Sequence, residues 1–304
     1  MQYYKIVGNL PLRFVVEMGL GACIEEWMPL AEQLVEQSAG QPGCSGGVLL
    51  YERYGINRSP ASENARTPFH IAQELHQLLV QIEHTEKVIL IAHSQGGLYA
   101  QQYVRLFPEQ VGGILLLDPL SVRDYLFKEK LSPKQYAKSG VDKSSNLILM
   151  KKLAKMKMGW LVKKMMKNAP PFYYFRNFSS KAENVILNSY TNITHLDTAY
   201  QEYVLAHDKK EIQALENMEG FPDIPLTLIT HDSEFAIKES MQFGNNPREF
   251  AEAVENMWQG IMKEYLTFSK KSKYIQAKSS GHYIHLSDRE TVIEETLLLS
   301  SFLA

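Results

Sequence analysis

The segment between Val88 and Pro108 constrains the fold most strongly, because it joins an apolar run to a helical pattern through a single serine. Ser94 stands in the sequence AHSQG, with Ala92 two positions before it and Gly96 two positions after it. At a sharp strand-to-helix turn, larger side chains at those two positions would collide with the neighbouring strand and helix. Capping of the helix would explain the serine but not both small residues. The segment therefore predicts a strained turn that presents the Ser94 hydroxyl.

Short apolar runs alternate with helical patterns along most of the chain, which predicts a mostly parallel α/β sheet flanked by helices. The candidate strands are Arg13–Glu17, Gly47–Tyr51, Val88–Ile91, Ile114–Leu117, Leu226–Thr230 and Tyr274–Ala277. The candidate helices are Glu25–Gln37, Phe69–His84, Gly96–Phe107 and Glu290–Phe302. One short hairpin strand is expected before Arg13.

The alternation of strands and helices stops over residues 119–219, which contain no clear strand. We interpret these residues as a helical insertion into a core formed by residues 1–118 and 220–304. Between Phe127 and Lys181 the chain carries thirteen lysines and one arginine against two acidic residues, a local net charge of +12.

The composition of the chain bears on its expected partners and on its expected location in the cell. The formal net charge of −2 gives no reason to expect nucleic acid as a partner. With only two cysteines, Cys23 and Cys44, no disulfide framework is expected, and a cytoplasmic location is favoured. The N-terminal segment lacks a charged region followed by an apolar one, so no signal peptide is expected. No apolar run approaches the about 18 residues of a membrane-spanning helix.

A serine hydroxyl is a weak nucleophile and needs a base to activate it. His282 directly follows Gly281 in the loop after the last candidate strand, which leaves its imidazole free above the strand ends. His285, three residues further on, is the alternative, although it is expected to turn toward the helix. His282 is the preferred base.

Four segments together resemble the α/β-hydrolase fold superfamily of lipases, esterases and peptidases. They are AHSQGG at the serine, SGHYIH at the histidine, FVVEMGLGACIEEW over residues 14–27 and LLYERYGINRSP…NARTP over residues 49–68. The third resembles the strand and glycine-rich turn of the family's oxyanion hole. The fourth resembles a D-R-x-G-x-G-x-S segment, with Glu52 in place of the usual aspartate. The resemblance implies an α/β-hydrolase sheet with a helical cap inserted between strands six and seven.

The resemblance also implies how the site is completed. The backbone N–H groups of Leu20 and Gln95 would form the oxyanion hole. Met18, which replaces the family's usual histidine, would line the substrate site together with Gly19 and His93.

The acid that would orient the histidine has three candidates. Asp118 follows the strand Ile114–Leu117 and precedes Pro119, at a strand end that a minority of families use. Asp232 and Glu234 follow Leu226–Thr230, at the position that most family members use. Asp118 is preferred, and Glu234 and Asp232 remain alternatives.

The basic insertion also contains a candidate substrate contact. Leu149, Leu153, Met156 and Trp160 follow a spacing that predicts one apolar helix face, with lysines on the other. In the main interpretation this face packs over the site, so Met156 and Trp160 are expected to contact substrate. A second interpretation makes it a flexible lining for an acyl or aromatic group. A third makes the lysine face a weak contact for an anionic lipid surface or an acidic partner.

Taken together, these patterns predict a serine hydrolase that cleaves a carboxylic ester or related small acyl substrate through an acyl-enzyme. No metal or organic cofactor is expected. For dehalogenases and epoxide hydrolases, the resemblance implies an aspartate at the position of Ser94 in the strand-to-helix turn. The serine therefore argues against both of these activities. One alternative is an aminopeptidase of the proline-iminopeptidase type. Another is a receptor-like protein that binds a ligand with slow or no turnover.

Overall fold

Short apolar strands and amphipathic helices alternate along the chain. The structure, a computed structural model, describes residues 1–41, 44–218 and 220–303. The strands are β1 (Tyr4–Val7), β2 (Leu12–Glu17), β3 (Gly47–Tyr51), β4 (Val88–His93), β5 (Val111–Leu117), β6 (Leu226–Thr230) and β7 (Ser272–Gln276). The α-helices are α1 (Ile24–Ser38), α2 (Pro68–Gln81), α3 (Gly96–Leu106), α4 (Leu126–Lys130), α5 (Pro133–Ser139), α6 (Ser144–Lys155), α7 (Gly159–Met166), α8 (Ser180–Ser189), α9 (Ile193–Ala206), α10 (Lys209–Glu216), α11 (Ser233–Gly244), α12 (Arg248–Met262), α13 (Ile284–Ser287) and α14 (Arg289–Ser300). Short 3-10 helices cover Pro108–Gln110, Lys263–Thr267 and Ser301–Leu303.

The strands form one sheet in the order β1-β3-β2-β4-β5-β6-β7. Every neighbouring pair is parallel except β1 with β3. Ala92 on the central strand β4 lies opposite Glu17 on one side and Leu116 on the other. In a parallel sheet the carboxyl ends of the strands meet at one edge, where ligands typically bind. The segments that follow β2, β4, β5, β6 and β7 therefore converge at that edge.

The predicted, mostly parallel α/β sheet is confirmed, and the candidate strands and helices are present with ends displaced by a few residues. The expected hairpin at the N-terminus is wrong, because β1 pairs with β3 and not with β2. Strand β2 already has parallel neighbours on both sides, β3 and β4, so β3 offers the open edge.

Residues 119–218 follow β5 and precede β6, and over this range the structure describes the helices α4 to α10 and no strand. The expectation of an insertion between strands six and seven counted one strand too many, because only β1 precedes β2. The expected boundary at residue 219 and the expected core end at residue 304 lie outside the described residues. In the part of the chain that is described, no helix has both the length and the apolar character needed to cross a bilayer.

Apolar side chains cover both faces of the sheet, because successive residues of a strand point to opposite faces. Val15 and Leu90 belong to the cluster on one face, and Val16 and Ile91 belong to the cluster on the other. All four are completely buried or nearly so. The central strands are therefore fixed from both sides, and so are the loops at their carboxyl ends.

The helix after the serine packs directly against the backbone of β2. A Cβ atom at Gly96 would lie 2.2 Å from the carbonyl oxygen of Glu17 and 2.7 Å from that of Met18. A Cβ atom at Gly97 would lie 2.5 Å from the Cβ of Pro119. This close approach explains the small residue that the sequence places after the serine.

Gly96→Ala is expected to destabilise the protein by at least about 1–3 kcal/mol, because the new methyl group meets fixed backbone atoms. Gly260→Ala is the matched control, since Gly260 lies within α12 and a Cβ there would meet nothing within 4 Å. That substitution should stabilise the protein by up to about 1 kcal/mol, because alanine is the better helix former. Urea unfolding of both variants measures the difference. Equal stability of the two variants would contradict the packing argument.

Candidate active site

Ser94 lies at the turn between β4 and α3, with a backbone φ of +54°. Its amide donates to the carbonyl of Leu117 at 3.0 Å, and its own carbonyl accepts from Gly97 at 2.9 Å and Leu120 at 2.7 Å. A non-glycine residue rarely adopts a positive φ, and such strain persists only where the surroundings hold it. These bonds hold Ser94 in this conformation, with its side chain partly exposed at the carboxyl edge of the sheet.

His282 joins Ser94 to Asp118 through hydrogen bonds. Its Nε2 lies 3.0 Å from Ser94 Oγ, and its Nδ1 lies 3.0 Å from Asp118 Oδ2. The His282 carbonyl accepts from His93 Nε2 at 2.9 Å, which fixes the loop that carries it. In this arrangement Nδ1–H can donate to the carboxylate while Nε2 takes a proton from the serine.

Asp118 lies immediately after β5, with a φ of +43° and 1% of its surface exposed. Its Oδ1 accepts from the backbone N–H of His231 at 2.7 Å. Its Oδ2 lies 2.7 Å from Nδ1 of His231 as well as near His282, so one carboxylate oxygen is shared by two imidazoles. Burial by itself would raise the pKa of Asp118, but His231 and His282 outweigh it and hold the pKa well below its usual range.

His231 lies between two carboxylates. Its Nε2 is 2.9 Å from Glu255 Oε2 on α12, and its ring packs against Trp258 with centroids 4.2 Å apart. Burial alone would lower the pKa of His231, but Asp118 and Glu255 raise it to about 10. His231 is therefore a buried cation at neutral pH, and it contacts both oxygens of the Asp118 carboxylate.

A glycine-containing turn after β2 lies directly beside the serine. A Cβ atom at Gly19 would be 3.2 Å from the Cβ of Ser94. Leu20 follows in this turn, and Gln95 follows Ser94 at the start of α3. Among the described residues, the amides of Leu20 and Gln95 have no hydrogen-bond acceptor. Both N–H groups are therefore available to an oxygen atom bound next to Ser94.

Comparison with known proteins shows the family to which this fold belongs. The model of the alpha/beta hydrolase family matches residues 19–295. The chain belongs to this family. The match includes the turn after β2, the turn between β4 and α3 that carries Ser94, and the loop of His282.

Two solved structures share the whole fold with this hydrolase-family chain. A thermophilic esterase from Thermogutta terrifontis has a TM-score of 0.62 at 15% identity, covering 100% of this chain and 94% of that one. An epoxide hydrolase has a TM-score of 0.64 at 14% identity, covering 100% and 95%. At these identities the likeness shows the fold alone.

Curated relatives match over shorter stretches. A proline iminopeptidase from Saccharolobus solfataricus is 32% identical over 84 residues, which are 27% of this chain and 27% of that protein. The chain spans less than half the length of the curated relatives that it matches.

The alternative acids and the alternative base of the hydrolase site lie elsewhere. Asp232 caps α11, accepting from Phe235 N–H at 3.0 Å, and Glu234 is exposed and paired with Arg248. His285 is 1% exposed and stacks on Trp27 with ring centroids 3.9 Å apart. In the ranges that the structure describes, no group of three or more His, Cys, Asp or Glu side chains is arranged to hold a metal ion.

Two residues expected to line the substrate site are buried instead. Met18 is 2% exposed and its side chain belongs to the core. His93 is 3% exposed and supports the His282 loop. Burial, with a smaller effect of His282, lowers the pKa of His93 to about 3, so its imidazole stays neutral. Gly19 remains beside Ser94.

The predicted apolar face of the insertion is also wrong. Met156 and Trp160 are 58% and 65% exposed. Helix α6 instead packs its neighbouring face inward, where Leu147, Met150 and Ala154 contact the cluster around α9. The predicted spacing assumed one continuous helix, but α6 ends at Lys155 and a new helix begins at Gly159.

Sequence reasoning missed the ion pairs that hold the glycine-containing turn. Arg53 donates to the carbonyls of Met18 at 2.7 Å and Gly19 at 2.9 Å. The same guanidinium pairs with Glu17 at 2.9 Å and with Glu202 of α9 at 2.8 Å. Arg53 lies in a family-like segment and could have been suspected. Nothing in the pattern of α9 marks Glu202 as its partner.

A second missed contact covers the His282 loop. The Tyr174 hydroxyl donates to the Glu239 carboxylate at 2.9 Å, and its ring stacks on Tyr283 with centroids 5.2 Å apart. A Cβ atom at Gly281 would lie 2.4 Å from the Tyr174 oxygen. A larger residue before His282 would therefore displace the tyrosine that packs above it.

The buried cation at His231 makes stability depend on pH. Below the ordinary histidine pKa of 6.5, both folded and unfolded chains hold the proton and the stabilisation is complete. As the pH rises from 6.5 toward the folded pKa of about 10, only the folded chain keeps it, so stability falls. The loss is at most about 1.4 kcal/mol per pH unit for one proton.

His231→Gln is expected to flatten this decline, as measured by urea unfolding at pH 7, 8 and 9. His84→Gln is the control, because burial lowers the pKa of His84 and its imidazole is neutral throughout this range. The same slope in wild type and His231→Gln would show that His231 is not protonated.

Proposed function

We propose that the protein is a serine hydrolase that cleaves a carboxylic ester or a related acyl substrate. The hydrogen-bonded triad of Ser94, His282 and Asp118 carries the proposal. It joins a nucleophile to a base and the base to an orienting acid, each pair at a distance of 3.0 Å. The strained turn at Ser94 and the free amides of Leu20 and Gln95 support it further.

In the first half of the reaction, His282 Nε2 takes the proton of Ser94 as Oγ forms a bond to the substrate carbonyl carbon. The carbonyl oxygen becomes negatively charged and accepts hydrogen bonds from the amides of Leu20 and Gln95. The His282 imidazolium then gives its proton to the leaving alcohol oxygen, and the carbon–oxygen bond breaks. The acyl group remains on Ser94.

In the second half, water takes the place of the alcohol. His282 accepts a proton from the water as its oxygen attacks the acyl carbon. The same amides donate hydrogen bonds to the negatively charged oxygen. The proton then passes from His282 back to Ser94 as the bond between Oγ and the acyl carbon breaks and the acid product leaves. The enzyme is regenerated without any other reactant.

Asp118 orients His282 and offsets the imidazolium charge formed in each half of the reaction. We assign His231 as a positioning residue that acts through Asp118, because it holds both carboxylate oxygens through its backbone and side-chain N–H groups. Glu255 in turn holds the far side of the His231 ring.

Peptidase activity of the proline-iminopeptidase type is the second candidate, favoured by the local likeness to the Saccharolobus solfataricus protein. Matched substrates with the same acyl group, one an ester and one a prolyl amide, separate the two. Faster amide cleavage, measured as kcat/KM, would favour the peptidase.

Ser94→Ala is expected to lose essentially all hydrolysis of a short-chain ester and to lose labelling by a fluorophosphonate probe, because the nucleophile is gone. Ser121→Ala is the control, since Ser121 lies close to Asp118 in sequence and bonds to Arg123 N–H rather than to His282. Peptide mapping locates the label. Undiminished turnover in Ser94→Ala would overturn the mechanism, and an unlabelled wild type would favour a ligand-binding protein.

Asp118→Asn is expected to lower kcat by about 10⁴, the loss typical of an amide at this position. Glu234→Gln should remain near wild type, because the exposed Glu234 carboxylate pairs with Arg248. Steady-state kinetics of both variants with one ester make the comparison. A larger loss in Glu234→Gln would transfer the acid role to the loop after β6.

A further inference from the structure

The helices α6 and α7 and the turn between them expose apolar and basic side chains together, and we call this surface the basic apolar patch. Its apolar members are exposed by 45–65% and its lysines are exposed. They are Ile148, Leu149, Met156, Trp160 and Met165, with Lys152, Lys155, Lys157 and Lys164. Of the fifteen exposed large hydrophobic residues in the described part of the chain, five lie within residues 148–165. Such a concentration marks an interaction surface.

Helical spacing brings the two kinds of side chain onto one face. Ile148 and Lys152 are one turn apart on α6, and the adjacent side of α6 carries the buried Leu147. Trp160 and Lys164 are one turn apart on α7, whose buried residue is Val162. Residues at i and i+4 are neighbours on a helix surface. Each helix therefore uses one side to pack on the protein and presents lysines beside large apolar groups on the other.

Charge separates this region from the remainder of the chain. Residues 143–182 contain nine lysines and one arginine and no acidic residue, so their net charge is +10. The whole chain has a net charge of −2, which leaves −12 for the rest. Lys151 pairs with Asp197 and Lys167 with Glu183. Within the described ranges, the four lysines of the patch have no carboxylate partner.

The surface also offers room for apolar chains. A cavity of about 470 Å³ opens beside α6, lined by Leu147, Ile148, Lys151, Lys152, Lys155, Met156 and Tyr200. Its lining combines apolar side chains with three lysines. This combination suits an acyl chain attached to a negatively charged head group.

We propose that the basic apolar patch docks on the surface of an anionic lipid bilayer. Lysines near such a surface contribute about 1 kcal/mol each, and tryptophan prefers the boundary between head groups and acyl chains. Lysine side chains can keep their charge among phosphates while their stems lie along apolar surface. A polyanion such as nucleic acid would satisfy the lysines alone and leave Met156 and Trp160 in water.

The first test is co-sedimentation of the full chain with vesicles of phosphatidylcholine, with and without phosphatidylglycerol. Wild type should bind the anionic vesicles at least tenfold more tightly, and added salt should weaken the binding. The double variant Lys152→Gln/Lys155→Gln should lose about 10- to 30-fold in affinity. Lys209→Gln/Lys210→Gln on α10 is the matched control, because it removes the same charge from another exposed site.

The second test is tryptophan fluorescence, since Trp160 is 65% exposed while Trp27 is completely buried. Anionic vesicles should shift the emission to the blue, and Trp160→Ser should remove the shift. No preference for anionic vesicles, equal losses in the two double variants, or binding without a shift at Trp160 would each overturn the proposal. Both tests measure binding, so their outcome does not depend on hydrolysis at Ser94.

Discussion

The buried carboxylate of Asp118 is the group on which the rest of the site depends. An anion removed from water is costly unless hydrogen bonds and an opposite charge replace the lost solvent. Here the backbone N–H of His231, its imidazolium and the ring of His282 supply both. His231 and His282 follow β6 and β7, and Asp118 follows β5, so the parallel order of the sheet is what brings these groups to one carboxylate.

The parts of the site that could be predicted are those that obey a local steric rule. Ala92 and Gly96 reveal the turn at Ser94 because no larger side chain fits beside the neighbouring strand. Gly281 indicates the loop of His282, although Tyr174, whose side chain packs over this glycine, is distant in sequence. The alternation of strands and helices sets the sheet. Local patterns were sufficient for all of these features.

The parts that could not be predicted depend on pairs of charged residues far apart in sequence. Glu255 and Glu202 look like ordinary acidic residues of amphipathic helices, and only the folded chain shows that each is buried against a cation. The prediction of an apolar face on α6 was wrong for a different reason. It continued the helix past Lys155 to Trp160, but the backbone turns at Lys157, which has a φ of +59°.

The bond between Arg53 and Glu202 has a consequence for how this protein can change over evolution. Arg53 fixes the turn beside Ser94, yet its bidentate anion belongs to α9 in the helical segment between β5 and β6. The helices between β5 and β6 therefore cannot be exchanged for those of another family member as an independent module. A replacement without an acid at this position would leave the buried guanidinium with only one of its two carboxylate partners, Glu17, and would weaken the support of the turn beside the serine. New substrate preferences can arise more easily through residues of the insertion that do not share this ion pair.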